Sequence, residues 1–268
     1  MLFRKFNYGR GLKILSGMGM KRNVFHRTEN FSVYMEPPSL SSPVFIEGFP
    51  GIGLVGVIAC NHIVQELKMR EIGFITSPLL PPVALIQEAV YTPSIRLYED
   101  SQNEIIMVLS DVPVPLPITN ELSRAIVDIC EKLSVREIIT IAGLATGGEE
   151  RRVFISFSSK ELKEKRKIEG IEEFFMGTIS GIAGSTLMEC HARGIPAISL
   201  LGETPSFNPD PKASAEVIKT MNRMYGWNIS VDRLLEEAEK IEMQMQKLAE
   251  QVREKADRDR FMDYRMYG

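Results

Sequence analysis

The side chains that could do chemistry are few and widely spaced. His26, His62 and His191 lie far apart, and so do Cys60, Cys130 and Cys190. The cysteines and the last two histidines sit inside apolar, helix-spaced runs. They read as core residues with reduced thiols, and they make neither a disulfide framework nor a zinc cluster. No Ser–His–Asp order, H-E-x-x-H pair or P-loop is present. No catalytic residue and no metal ligand is assigned. Glycines and acids at strand ends remain. Gly51-Ile52-Gly53-Leu54-Val55-Gly56 spells G-x-G-x-x-G. In a dinucleotide site such glycines let the backbone approach a pyrophosphate at a helix N-terminus. That site also needs an acid at the end of the next strand. Here the strand near Ile72–Thr76 ends in Ser77, and Glu71 stands at its other end. Pro50 also stiffens the turn that would wrap a ligand. The glycines are therefore expected to permit a sharp turn and close helix–sheet packing, with no cofactor.

A second loop, Gly143–Glu150, sets Thr146, Gly147 and Glu149 at the carboxyl end of a strand, where open α/β sheets bind ligands. Glu203 lies just beyond the carboxyl end of another. An acid there contacts a ribose or base in a nucleosidase-like enzyme; elsewhere it is a capping or interface carboxylate. Gly51, Gly53, Thr146, Gly147, Glu149 and Glu203 are the pocket candidates. A nucleosidase-like or nucleotide-binding α/β enzyme is the competing functional class.

The elements that must hold these residues follow from pattern. Val44–Ile46 is a strand. After the glycine turn, Leu54, Val55, Ile58, Ala59, His62, Ile63 and Leu67 keep helical spacing. Strand, tight turn and helix open an α/β domain. Pro81–Ala89, Ser94–Tyr98 and Glu104–Ser110 read as successive strands, the last two joined as a hairpin. Strands in succession pair antiparallel, so the sheet is mixed. Thr119 is placed to cap a helix through Leu122, Ile126, Ile129, Cys130 and Leu133. Strands follow at Glu137–Ala142, Val153–Phe157 and Ala197–Leu201. Lys160–Lys167 reads as a solvated segment, and helices run through Thr186, Leu187, Cys190 and Ala192 and over Ala213–Tyr225, stopped by Gly226.

The chain has 268 residues, 25% of them charged and 44% hydrophobic, which is ordinary for a globular protein. A net charge of −3 gives no reason to expect nucleic acid as the main partner. No apolar run is long enough for a membrane span. Residues 1–27 carry seven Lys or Arg and no acid, without sustained periodicity or a signal-peptide core. Residues 1–40 are expected to form a disordered leader, with Met20 an alternative start and Asn30–Met35 a short edge strand. The α/β domain is expected over 41–228.

Glu47-Gly48-Phe49-Pro50-Gly51-Ile52-Gly53-Leu54-Val55-Gly56 resembles the opening signature of the proteasome assembly chaperone family, in its archaeal branch. The resemblance continues, with breaks, to about Leu235. It includes Pro81–Ala84, Gly143–Glu149, Gly177–Gly184 and Leu201-Gly202-Glu203-Thr204-Pro205. It implies a three-layer α/β/α fold, nucleoside-phosphorylase-like, used as a protein-binding scaffold with no established catalytic residues.

From Asp232 to about Lys255 there is neither Gly nor Pro, and a helix is expected over 229–256. Val231, Leu234, Ala238, Ile241, Met245, Leu248 and Val252 step at 3-4-3-4-3-4, a heptad seam suited to self-association. Residues 257–268 then read as a mobile tail ending Met266-Tyr267-Gly268. Those three look like the hydrophobic–Tyr–any motif of proteasome activators. The expectation is a cytoplasmic, ATP-independent homo-oligomer, tetramer or pentamer, whose tails dock on the α subunits of the proteasome core.

Overall fold

In the computed structural model, which describes residues 24–239 apart from 167, 169 and 237, helices cover both faces of a ten-stranded sheet. The strands are β1 (Val24–Arg27), β2 (Ser32–Met35), β3 (Val44–Gly48), β4 (Arg70–Thr76), β5 (Leu85–Gln87), β6 (Val90–Thr92), β7 (Ile95–Asp100), β8 (Ile105–Ser110), β9 (Glu137–Ala145), β10 (Val153–Phe157), β11 (Glu172–Glu173) and β12 (Ala197–Thr204). The helices are α1 (Val55–Glu66), α2 (Leu116–Lys132), α3 (Lys160–Lys165), α4 (Gly181–Arg193) and α5 (Pro211–Tyr225). The sheet order is β1-β2-β4-β7-β8-β3-β9-β12-β10-β11, and β5 pairs with β6 apart from it. The central strands β8, β3, β9 and β12 are parallel. Their neighbours β7 and β10 are antiparallel to them. The sheet is mixed, as the succession of strands predicts.

Successive strand residues point to opposite faces, so each buried run serves two cores. Val44 and Ile46 of β3, with Ile105, Met107 and Leu109 of β8, pack under α1 and α5. Phe45, Ile106, Val108 and Ile138 face the other way, toward α2 and α4. This is why the central strands read as unbroken apolar runs. The lysine-rich α3 has no fully buried residue, and Leu162 alone packs against the core.

α1 approaches the sheet more closely than side chains would allow. A Cβ on Gly56 would stand 2.8 Å from the carbonyl oxygen of Ile141 in β9, and one on Gly48 would stand 2.5 Å from Cys60 Sγ. Gly53 meets the second demand of this turn, a left-handed conformation at φ 61. Gly51 differs from both: it is exposed, in extended backbone, with nothing near its would-be Cβ.

Several expected boundaries move. The sheet begins at Val24, inside the leader expected over 1–40. Phe31 and Val33 are core residues, and Glu121 of α2 accepts hydrogen bonds from Thr28 and Asn30. The strand expected over Asn30–Met35 is present as β2, and β1 pairs outside it, so it is not the sheet's margin. Pro81–Ala84 is not strand, and the hairpin β5–β6 stands outside the main sheet. α2 starts at Leu116 with Pro115 as its cap, because proline suits a first turn that lacks amide partners. Thr119 lies inside the helix, its hydroxyl donating back to the Pro115 carbonyl at 3.2 Å. β9 and β12 run on as partners to Ala145 and Thr204, so Glu203 lies within a strand.

Residues 232–236 turn helical again. Leu234 and Ala238, expected on an intersubunit seam, are only 4% and 3% exposed in the chain itself, Leu234 packing with Trp227 and Ile229. Ile241, Met245, Leu248, Val252, Met266, Tyr267 and Gly268 lie outside the described residues, as do residues 1–23.

Replacing Gly56 by Ala is expected to cost about 1–3 kcal/mol through overpacking against Ile141. The loss should appear although alanine favours helix by ~1 kcal/mol. Gly51→Ala, in open space, should be neutral. Equal urea midpoints for the two variants would refute the close-approach role of Gly56.

Candidate functional site

The parallel strands finish together, so the loops after β3, β8, β9 and β12 share one end of the sheet, where open α/β folds place their sites. Here the structure joins two of the expected loops. The Asp210 amide donates to the Gly53 carbonyl at 2.9 Å, and the Thr146 amide donates to the Thr204 carbonyl at 3.2 Å.

Glu203 is 1% exposed, and all its acceptor capacity is engaged. Thr146 Oγ1 donates to Oε1 at 2.7 Å, and Arg152 donates from Nη2 to Oε1 at 3.1 Å and from Nε to Oε2 at 2.9 Å. These Arg152 bonds, seconded by Thr146, pull the carboxyl down to about 2 against the cost of its burial. A carboxylate so held keeps its charge at neutral pH and exchanges no proton there. It ties the ends of β9, β10 and β12 together, which is the capping reading of this residue. Arg152 extends the cluster to Glu150 at 3.0 Å and Glu172 at 3.5 Å. Gly147 and Glu149 are exposed beside it, and Arg151 pairs with Asp210 at 2.6 Å.

The expected pocket residues therefore separate. Thr146 and Glu203 bond to each other, Gly53 packs on Thr204, and Gly51 lines a different feature. That feature is an apolar hollow of about 440 Å³ bounded by Pro50, Gly51, Leu54, Val57, Asp111 and Pro113.

Sequence reading gave no role to Glu47, which is 1% exposed on the α2–α4 face of β3. The Thr186 hydroxyl lies 2.9 Å from its Oε2 and 3.2 Å from Ser123 Oγ, while Oε1 is buried without a partner. Thr186 has one proton, so it either donates to Glu47 and accepts from Ser123, or accepts from a protonated Glu47 and donates to Ser123. Burial raises the Glu47 pKa to about 8, the Thr186 bond offsetting only part of the shift. The available signal was a lone acid inside the apolar run Val44–Gly48.

The histidines and cysteines hold structure together. His62 and His191 bond the carbonyls of Ser230 and Ser158 at 2.7 Å, and His26 pairs with Asp128 at 2.8 Å. All three cysteines are free and buried, and desolvation raises the Cys190 thiol to about 12. Among the described residues no three His, Cys, Asp or Glu side chains converge as metal ligands, and no helix is long and apolar enough to cross a membrane.

The fold is thus a mixed α/β sheet covered by helices on both faces, with Glu203 at the strand ends bonded to Arg152 and Thr146. The chain belongs to the PAC2 family, whose model matches residues 45–249. An uncharacterized protein of Methanocaldococcus jannaschii is 32% identical over 226 residues, covering 84% of this chain and 93% of the relative. Among solved structures, Pyrococcus furiosus PbaA, described as an archaeal homolog of proteasome-assembly chaperone, superposes with a TM-score of 0.77 at 36% identity, over 88% of this chain and 99% of that one. Pyrococcus furiosus PbaB, described as an archaeal proteasome activator, gives a TM-score of 0.74 at 31% identity, over 83% and 100%.

The raised pKa of Glu47 has a definite sign in stability. Between the ordinary carboxylate range and about 8, the folded state keeps a proton that the unfolded chain has released. Stability is full below pH 4.5 and falls as pH rises through 8, by on the order of 1.4 kcal/mol per unit within that window. Glu47→Gln should remove this slope and be the more stable form at pH 9 relative to pH 5. Chemical denaturation at the two pH values checks it; parallel profiles for parent and variant would refute a neutral Glu47.

Proposed function

We propose that this protein is a non-enzymatic proteasome assembly chaperone or activator-like protein that docks on the α ring of the proteasome core through its C-terminal tail. The observation that carries the reading is a coincidence at opposite ends of the chain. The domain belongs to a family whose members PbaA and PbaB are described in proteasome terms, and the sequence closes on Met266-Tyr267-Gly268. The nucleoside-phosphorylase-like scaffold presents the tails. A helix continuing past residue 239 joins the copies into a cytoplasmic homo-oligomer, tetramer or pentamer, along Ile241, Met245, Leu248 and Val252.

The chemistry of the tail suits this role. Its carboxylate is an anion for a cationic pocket between α subunits. Tyr267 adds an apolar ring with one hydroxyl, and Met266 an adaptable apolar contact. One tail binds weakly, since ordering a peptide costs entropy that three residues barely offset. Several tails on one oligomer raise avidity by on the order of 10²–10⁴ when their spacing fits the ring.

Tyr267→Ala, or one residue added after Gly268, is expected to lower affinity for the proteasome core at least ~100-fold while leaving fold and oligomer intact. Surface plasmon resonance with immobilised core particle measures this, and parental affinity in Tyr267→Ala would remove the reading's main support. Ile241→Asp with Leu248→Asp should dissolve the seam and weaken docking, because an apolar contact does not tolerate two buried carboxylates. Light scattering follows the mass, and an unchanged mass with unchanged helix content would rule out a shared seam.

A further inference from the structure

Where α5 ends, the chain stays fastened to the domain. Gly226, left-handed at φ 69, stops the helix. The Asn222 side chain then closes the turn that follows. Its Nδ2 donates to the Ile229 carbonyl at 2.9 Å, and its Oδ1 accepts from the Ile229 amide at 3.2 Å. Trp227, inside that turn, is buried and stacks on Tyr225 at 4.5 Å. α1 supplies a second attachment. Its residues His62 and Gln65, three apart, lie on one side of the helix. His62 Nε2 bonds the Ser230 carbonyl at 2.7 Å, and since a carbonyl only accepts, this nitrogen carries the proton. Arg233 Nη2 donates to Gln65 Oε1 at 2.7 Å. Ser230 Oγ accepts from the Asp232 amide at 3.3 Å, and the Leu235 amide donates to the Val231 carbonyl at 3.0 Å as helix resumes. Val231 and Leu234 join the core cluster that holds Trp227 and Ile229. A flexible linker behaves as a random coil; this segment buries apolar side chains and pairs its backbone with two helices.

We infer that residues 227–236 form a fixed bracket, clamped to α5 by Asn222 and to α1 by His62, which sets the direction in which the chain leaves the domain toward the seam and the tail. The tail's chemistry decides whether one tail binds; the bracket decides where several tails arrive together. Linked tails gain affinity only when they engage their pockets simultaneously, and the gain is lost when geometry forbids it. A rooted arm also has fewer directions to give up on docking than a free one, so binding orders less. His62 and Asn222 are thereby positioning residues for a tail they do not touch. The positioning role rests on the docking reading above, whereas the clamp rests on contacts within the domain.

Trp227 is the chain's single tryptophan and stands inside the bracket, so its emission reports on the bracket alone. In the full-length protein, His62→Ala and Asn222→Ala should each shift that emission to the red and speed exchange of the Leu235 amide at least ~10-fold, with helix content and particle mass retained. His62→Gln keeps an N–H within reach of the Ser230 carbonyl and should restore parental emission and exchange. Surface plasmon resonance on immobilised proteasome core should show at least ~10-fold weaker binding for both alanine variants and parental binding for His62→Gln. Unmoved emission and exchange in both alanine variants would overturn the clamp. Loosened variants that bind as tightly as the parent would overturn the positioning role, and so would variants whose mass falls together with their affinity. A parent that does not bind core would sink the docking reading and the positioning role with it, while emission and exchange still decide the clamp.

Discussion

The contact between α1 and the sheet sets the geometry of everything at the strand ends. At Gly56 the helix backbone touches the β9 backbone with no side chain between them, and at Gly48 the strand leaves room for Cys60. The close approach fixes where the chain turns after β3. That turn carries Gly53 against Thr204, and Thr204 fixes the height of the β9 loop through its carbonyl. Of the glycine string that looks like a ligand cradle, Gly53 and Gly56 lie against the protein's own strands, while Gly51 stays open. In a well-packed interior such a contact cannot relax by small shifts, so one methyl group there is felt throughout the turn.

Two carboxylates on neighbouring strands show how strongly placement decides chemistry. Glu203 and Glu47 are both shielded from solvent, but Glu203 lies at the strand ends beside an arginine and is held down to about 2, whereas Glu47 lies deep in the core and is raised by desolvation to about 8. Arg152, the residue just before β10, reaches the first. The second stands between α2 and α4, where the Thr186 hydroxyl bonds it and Ser123 in turn bonds Thr186. Ion pairing makes Glu203 a fixed tie across three strands. A neutral Glu47 instead continues a chain of hydroxyls linking β3 to two helices.

The sequence showed the mixed sheet, the buried central strands and the helix stop at Gly226, because these depend on local periodicity and turn chemistry. What escaped it depends on contacts distant in the chain. Val33 is core because β4 lies beside β2, and nothing near residue 33 announces that neighbour. Thr146 and Glu203 were chosen for their strand-end positions, and the structure does bring them together. Arg152, which settles their chemistry, gave no signal in a charged stretch. Leu234 and Ala238 kept a heptad step, but a step of three and four serves an intramolecular groove as well as a partner helix. Glu47 was visible as an acid in an apolar strand, and its hydroxyl partners 76 and 139 residues away were not.

The two margins of the sheet bear on how such molecules can accumulate. At one, β1 is joined to β2 with a break in register between Val24 and His26; at the other, β11 is two exposed glutamates, one of them paired with Lys163 at 2.7 Å. A bulged strand and a charged stub are poor templates for another backbone. Among the described residues, both borders of the sheet therefore discourage lateral growth into ribbons by edge-to-edge strand pairing.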